Sequence, residues 1–279
     1  MDAVTKKRLE IIATKIRMAV IEGIYNAKCG HPGGSLSIAD DLAYLYFEEM
    51  NIDPANPTWA QRDRLVLSKG HCAPALYGAL ALRGYFPTEW ISTLRKADSP
   101  LQGHPDMKGV PGVDMSTGSL GQGVSAAVGM ALAGKLDGAD YRVYAILGDG
   151  EIGEGQVWEA AMFAAAKGLD NLTVIVDNNN LQIDGTLEEV NSSYPITDKF
   201  AAFGFNVIEI DGNDLEQIED AVQQAKTAGK PTAIVQKTIK GKGVSYMEDR
   251  CGWHGAAPNK EQYDVAMAEL TARLAELEG

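Results

Sequence analysis

Apolar residues recur every four positions along the first segment, at Ile12, Ile16, Val20 and Ile24, which predicts a helix running to about Lys28. A break rich in glycine and proline (29–35) separates it from a second helix over about 36–49. A polar, proline-bearing stretch (51–63) then leads into a short buried strand at 64–68. Helices are expected over 73–83 and 88–97, followed by an irregular segment (98–117). From 119 to 136 the period returns, with Leu120, Val124, Val128, Leu132 and Leu136 in one stripe; Gly and Ala fill most gaps, so this helix should pack closely on several sides. Strand 141–147, helix 156–168 and strand 172–177 make a βαβ unit, and strand 205–210, helix 214–228 and strand 232–238 repeat the alternation. A last helix opens on Asn259 with Gln262 three residues later, a capping-box pattern, and carries the stripe Tyr263, Met267, Leu270, Leu274 and Leu277. Alternating strands and helices imply an α/β fold, a mainly parallel sheet sandwiched by helices. No linker or repeat interrupts it, so residues 1–279 are read as a single domain.

Composition narrows the function. Lys and Arg number 25 against 38 Asp and Glu, a formal charge of −13, which argues against nucleic-acid binding and against adhesion to an acidic membrane. No apolar run approaches the roughly 20 residues of a membrane span, and charges scattered through the first twenty residues exclude a signal peptide. Cys29, Cys72 and Cys251 are odd in number, far apart and without CxxC spacing; a reducing, cytoplasmic setting is the simplest expectation. Thirty glycines against 11 prolines point to many places where the backbone turns sharply or approaches something closely.

Gly148, Gly150 and Gly153 follow a strand and precede a helix in the G-x-G-x-x-G pattern of a dinucleotide-binding turn. That turn offers bare N–H groups to a pyrophosphate. Here the loop carries Asp149, Glu151 and Glu154, and three carboxylates would repel a pyrophosphate unless a divalent cation lay between. The next parallel strand ends in Asp177-Asn178-Asn179-Asn180, and Asn179 stands 30 residues after Asp149, the span of a strand end, one helix and one strand. A carboxylate and an amide oxygen at one sheet edge suit Mg²⁺ (or Ca²⁺ or Mn²⁺) bridging to a diphosphate. The alternative is a turn residue and an ordinary polar turn. All four histidines, His31, His71, His104 and His254, adjoin a glycine, and none falls mid-helix on a periodic face. No pair has zinc-ligand spacing. Imidazoles in such loops suit a sugar-phosphate site, where they donate to hydroxyls and move protons near neutral pH.

The segment 148–180, opening with GDG and closing with NN, resembles the thiamine diphosphate motif. GHPGGSLS (30–37), SKGHCAPALY (68–77), QGHPD (102–106), STGSLGQGVSAAVGMALA (116–133) and GWHGAAP (252–258) resemble transketolase, over essentially the whole chain. The resemblance implies the diphosphate-binding (PP-type) module of the thiamine diphosphate-binding fold. It implies that Asp149 and Asn179 bind the metal by side chain and Leu181 by its carbonyl. His71 and His254 would contact the diphosphate, Gly150 would offer it backbone, and Gly118, Ser119 and Leu120 would lie along the cofactor rings. His31, His104 and His254 would line the donor-sugar pocket, with His31 and His254 stabilising charge during transfer. The middle residue of the 118–120 triplet, often proline in the family, is Ser119 here; largely main-chain contacts make this a minor departure. Glu154 is either a first-turn acid favoured by the helix dipole or part of a carboxylate network between two active sites.

In transketolases the carboxylate that activates the aminopyrimidine, and the apolar wall beside it, come from the chain beyond this segment. No acid here offers itself for the role. The expectation is therefore the N-terminal subunit of a split transketolase, paired with a C-terminal-half polypeptide in an α₂β₂ heterotetramer and acting on sugar phosphates; a fragment is the other explanation. Positive charge for the sugar phosphate is expected from these histidines or from arginines on the partner. Rivals are the α component of a 2-oxo acid dehydrogenase, a deoxyxylulose phosphate synthase, an NAD-dependent dehydrogenase, and a non-catalytic scaffold.

Overall fold

The computed structural model describes residues 1–279. In chain order the strands are β1 (Arg64–Leu67), β2 (Val143–Gly148), β3 (Leu172–Asn178), β4 (Leu181–Gln182), β5 (Gly185–Thr186), β6 (Asn206–Asp211) and β7 (Thr232–Lys237). The helices are α1 (Ala3–Ala27), α2 (Pro32–Ser37), α3 (Ala39–Tyr44), α4 (Ala73–Arg83), α5 (Gln122–Asp137), α6 (Gly155–Ala166), α7 (Leu187–Val190), α8 (Ile196–Ala202), α9 (Leu215–Thr227) and α10 (Lys260–Glu278).

Five strands form one parallel sheet in the order β1-β2-β3-β7-β6, and β4 and β5 form a small antiparallel hairpin just beyond β3. Side chains alternate along each central strand. Tyr144, Ile146, Ile175 and Ile234 point into a core shared with α1, α3, α4 and α9. Val143, Ala145, Leu147, Val174, Val176 and Val235 point the other way, into a core with α5, α6 and α8. Both faces are covered, so the strands read as unbroken apolar runs. On the second face the helical layer leaves large side chains outside: Met162 is 60% and Phe163 43% exposed on α6, and Leu136 is 78% exposed on α5. No helix is long and apolar enough to cross a membrane, and all three cysteines are unpaired.

The main alternation stands where the periodicity placed it, and three local expectations are corrected. The helix expected over 88–97 is only a 3₁₀ turn, Thr88–Thr93, because Arg95 turns left-handed (φ 60°) and its N–H closes on the Leu101 carbonyl at 2.8 Å. The helix expected from 119 begins at Gln122, after Gly121 (φ 80°). The single helix expected over 36–49 starts earlier, at Pro32, breaks at Ile38 and ends in a wide π turn, Leu45–Glu49. The hairpin and helices α7 and α8 carry no sequence signal long enough for a period.

Candidate active site

Parallel strands aim their C-terminal ends at one edge of the sheet, and the loops leaving β1, β2, β3 and β7 meet there. The β2–β3 register pairs Gly148 with Asp177, which brings the 149–151 loop against the asparagine run. A cleft of about 200 Å³ opens at this edge. Its lining includes His31, His71, His254, Gly118, Leu120, Asp149, Gly150, Asn179 and Leu181, nine of the residues the sequence singles out. A larger cleft of about 560 Å³ lies between α1, α9 and α10; it is lined mostly by charged side chains and holds none of them.

The floor of the cleft is an ion pair. Lys69 and Asp177 are 2% and 0% exposed, and the Lys69 ammonium also donates to the Gly34 carbonyl at 3.0 Å. Asp177 collects further donors from Ser37 (2.7 Å), Thr238 and Asn179 Nδ2 (3.1 Å). Burial opposes both charges, yet each holds the other ionised: the Lys69 ammonium sits above its ordinary range and the Asp177 carboxyl below.

Asp149 stands above that pair, 2% exposed. Its Oδ2 accepts the Asn180 N–H at 2.6 Å, with Asn180 in the left-handed region (φ 60°). Burial first, and the Asp177 charge second, raise its carboxyl to about 7. A cation beside it would restore full ionisation. The three asparagines have three different tasks. Asn178 Oδ1 accepts from Tyr194 (2.9 Å), Asn179 bridges Asp177 to the Leu181 N–H (3.1 Å), and Asn180 gives its N–H to Asp149. The Leu181 carbonyl accepts from Lys240 Nζ at 2.9 Å. Asp149, Asn179 and Leu181 line the same cleft, and a carboxylate, an amide oxygen and a carbonyl are hard donors of the kind that fits Mg²⁺.

The glycine loop departs from expectation. Its N–H groups are already taken: Gly148 by Glu151 (3.0 Å), Gly150 by Asp149 (2.8 Å) and Gly153 by the Gly150 carbonyl (3.1 Å). Gly150 therefore lines the cleft but does not turn its N–H to a diphosphate here, and the bare amides of a dinucleotide-binding turn are missing. Of the three loop carboxylates, Asp149 and Glu151 border the cleft and Glu154 does not. Glu151 is 2% exposed and folded inward, where it accepts from Ser68, from Gly121 N–H (2.9 Å) and from Gly148 N–H. Glu154 is exposed outside the cleft, its Cβ beside Gly121. Ser119 is likewise exposed, and its carbonyl accepts the Gln122 N–H (3.3 Å).

The four histidines, up to 223 residues apart in sequence, converge. The His31 ring centroid lies 5.1 Å from His71, 5.4 Å from His254 and 6.3 Å from His104, and His71 lies 5.2 Å from His254. They reach this place from different elements: His31 caps α2, His71 sits in a 3₁₀ turn before α4, and His254 follows another before α10. His104 stands at the mouth, its Cδ2 3.4 Å from where a Cβ on Gly118 would be. Burial, then neighbouring positive charges, lower His31 and His71 to about 4 and His254 to about 3, and His104 in the same direction. All four are neutral at neutral pH, each with one N–H to donate and one nitrogen to accept. His31 Nδ1 is buried and has no partner, and the four do not form a metal-binding group. A Cβ on Gly34 would fall 2.9 Å from the buried Cys72 Sγ, so glycine is what lets this turn pack on α4 at the edge of the cleft.

Lys240 was not anticipated. Its side chain is 2% exposed, and its Nζ lies 3.3 Å from His254 Nδ1 as well as on the Leu181 carbonyl. Burial lowers it, partly offset by Asp149 and Asp177. Positive charge at the cleft thus comes from Lys69 and Lys240 in this chain, not from histidines. A lysine in a glycine-rich segment (KGKG, 240–243) is ordinarily read as solvated, and only the folded strap returns it to the sheet edge.

Residues 8–272 match the family model described as "Transketolase, thiamine diphosphate binding domain". The chain is 52% identical over 259 residues to "6-deoxy-6-sulfo-D-fructose transketolase subunit SqwG" of Clostridium sp. (strain MSTE9), covering 92% of this chain and 94% of that one. It is 45% identical to an apulose-4-phosphate transketolase subunit of Phocaeicola vulgatus, covering 97% of this chain and 96% of that one. Among solved structures, transketolase from Campylobacter jejuni superposes with a TM-score of 0.90 at 33% identity; the match covers 99% of this chain but 46% of that chain. The chain spans a little under half of the transketolase structures it matches and nearly all of the two subunits. It belongs to the transketolase family, as a thiamine diphosphate-binding domain.

Proposed function

We propose that this chain is the N-terminal subunit of a split transketolase that moves a two-carbon ketol unit from a ketose phosphate or related charged ketose to an aldose. The observation that carries the reading is the donor set of Asp149, Asn179 and Leu181 in one cleft with Lys240 and the His31–His71–His254 cluster. Asp149, Asn179 and the Leu181 carbonyl would hold Mg²⁺, and His71, His254 and Lys240 would hold the diphosphate, with Gly150, its N–H bound to Asp149, lining the cleft beside them. Gly118, Ser119 and Leu120 would lie along the rings. Thiamine diphosphate, when bound, supplies a carbon nucleophile and an electron sink for cleaving the bond next to a ketose carbonyl.

This chain's own residues then do three things. The lysines and neutral imidazoles offset the charge of the diphosphate. His31, His104 and His254 would donate N–H to sugar oxygens. Leu120, with the buried walls behind it, keeps one side of the cleft dry. A carboxylate to activate the aminopyrimidine is not spare here: Asp149 faces the metal position, Glu151 is held by three donors and Asp177 by four. That group is assigned to a C-terminal-half partner, in an α₂β₂ assembly whose second face includes the exposed Met162 and Phe163 of α6. Glu154, exposed near that face, would belong to the network between the two sites.

Calorimetric titration with thiamine diphosphate tests the metal site. Binding with Mg²⁺ should be abolished by a chelator and weakened at least tenfold by Asp149→Asn. Equal binding with and without the divalent ion would refute it.

A further inference from the structure

Lys240 reaches the cleft on the strap that follows β7, and the way that strap is held decides where its ammonium stands. The Lys240 stem lies against Gly33, where a Cβ would fall 3.0 Å from its Cγ, and its Nζ meets the Leu181 carbonyl (2.9 Å) and His254 Nδ1 (3.3 Å). The strap is tied on both sides of it. Gly241 gives its N–H to the Gly33 carbonyl at 3.0 Å, and the Lys240 carbonyl accepts the Asp249 N–H at 2.9 Å. Before Lys240, the Ile239 N–H bonds to Asn213 Oδ1 at 3.1 Å. The first two ties are backbone to backbone, so Asn213 supplies the side-chain tie next to Lys240.

Asn213 is itself held. It lies between β6 and α9, and its Nδ2 donates to Asp40 Oδ2 at 3.0 Å. Asp40, on α3, receives both prongs of the Arg17 guanidinium from α1, Nη1 on Oδ1 at 3.2 Å and Nη2 on Oδ2 at 2.6 Å. Both residues are 7% exposed. An amide that donates at one end and accepts at the other carries this fixed position to the strap. The same ion pair also meets the strap directly: Gly243 (φ 89°) sits on Arg17, where a Cβ would fall 3.1 Å from Cδ. Ile239 and Gly243 flank Lys240, and both rest on one buried guanidinium–carboxylate pair that does not line the cleft.

We propose that Asn213, anchored by the Arg17–Asp40 pair, is a positioning residue that sets the Lys240 ammonium against the Leu181 carbonyl and His254 and so fixes its reach to the cofactor diphosphate. This rests on the reading above that Lys240 holds the diphosphate, and it adds what places the ammonium there. A lysine stem is flexible, so the backbone beneath it decides where a single point charge falls, and a shift of about 1 Å is enough to weaken the contact.

The test has two arms. The first uses this chain without cofactor and follows the NMR resonance of the His254 Nδ1 nitrogen, which reports the Lys240 contact. Asn213→Ala should move it in the direction that Lys240→Met does. The second is calorimetric titration of the complex with the C-terminal-half partner by thiamine diphosphate at saturating Mg²⁺. Lys240→Met should raise Kd about 10- to 100-fold, the scale of one charge-assisted hydrogen bond. Asn213→Ala displaces the ammonium rather than removing it and should raise Kd about five- to tenfold. In the Lys240→Met background it should add less than about twofold, because a residue that acts through another then has nothing to act on. Asn213→Ser gives the same comparison if the alanine variant does not fold. An unmoved His254 resonance, a Kd within about twofold of the unmodified complex, or an equal rise with and without Lys240 would overturn the proposal. No binding by the unmodified complex would instead overturn the reading of function, and the imidazole resonance would still decide whether Asn213 seats Lys240.

Discussion

Removing the Glu151 carboxylate should cost this fold more than any surface acid could. Its two oxygens accept from Ser68 at the end of β1, from Gly121 N–H (2.9 Å) at the start of α5 and from Gly148 N–H (3.0 Å) at the end of β2. Each of those positions adjoins a residue of the cleft: Lys69, Leu120 and Asp149. Glu151→Ala leaves three donors without partners. The Ser68 hydroxyl can rotate toward another acceptor, so the two backbone N–H groups decide the magnitude. At roughly 1–3 kcal/mol for each buried unsatisfied group, the expected loss is about 2–6 kcal/mol, nearer the lower figure where water from the cleft enters the gap. Glu151→Gln keeps one accepting oxygen but turns an NH₂ toward an N–H, and about 1–3 kcal/mol should be lost. Urea unfolding followed by circular dichroism measures both, with unchanged slopes showing that the same surface is exposed. A Glu151→Ala loss below about 0.5 kcal/mol, the scale of an ordinary surface substitution, would refute the reasoning.

Asp41 should govern part of the pH dependence of stability. It is fully buried; its Oδ1 accepts from Gln236 Nε2 at 2.7 Å, while its Oδ2 and the Gln236 Oε1 have no partner. Burial holds its carboxyl well above the ordinary value, so folding takes up a proton: its contribution is full at pH below about 4 and is lost as pH rises toward the folded value. Asp41→Asn gives Gln236 Oε1 an N–H donor and removes the titration, so the variant should lose less stability than the unmodified chain between pH 5 and pH 8; equal losses would contradict the assignment. Lys69→Met strands a fully buried carboxylate at Asp177 and should cost about 3–5 kcal/mol, measured by urea unfolding; a change under 1 kcal/mol would mean the pair is not the floor of the cleft.

How much of this was legible in the sequence depends on what each residue answers to. The helices and strands of the sheet are long enough to show a period, and their order follows from the alternation. Asp149 and Asn179 were legible from their spacing at the ends of adjacent strands and His31, His71 and His254 from their glycine neighbours, while Leu181 came only with the resemblance to transketolase; all six line one cleft. Side-chain direction is another matter. Glu151 and Glu154 are three residues apart in one loop, yet one is a buried pin and the other is exposed, a difference made by a single 3₁₀ turn, Glu151–Gly153. Lys69 and Lys240 carry no mark in the sequence, and only the fold sets them on Asp177 and Leu181. The 88–97 segment has a helical composition, but the closure of Arg95 on Leu101 is a contact beyond the helix itself.

The central claim is that catalysis needs this chain, a partner carrying the activating carboxylate, and both thiamine diphosphate and a divalent cation. Two-carbon transfer from a ketose phosphate to an aldose phosphate, measured on this chain alone, on the C-terminal-half partner alone and on the mixture, tests it most directly. Turnover is expected only in the mixture, and is lost on adding a chelator. Full turnover by this chain alone, or a mixture that is inactive with cofactor and Mg²⁺ present, would contradict it.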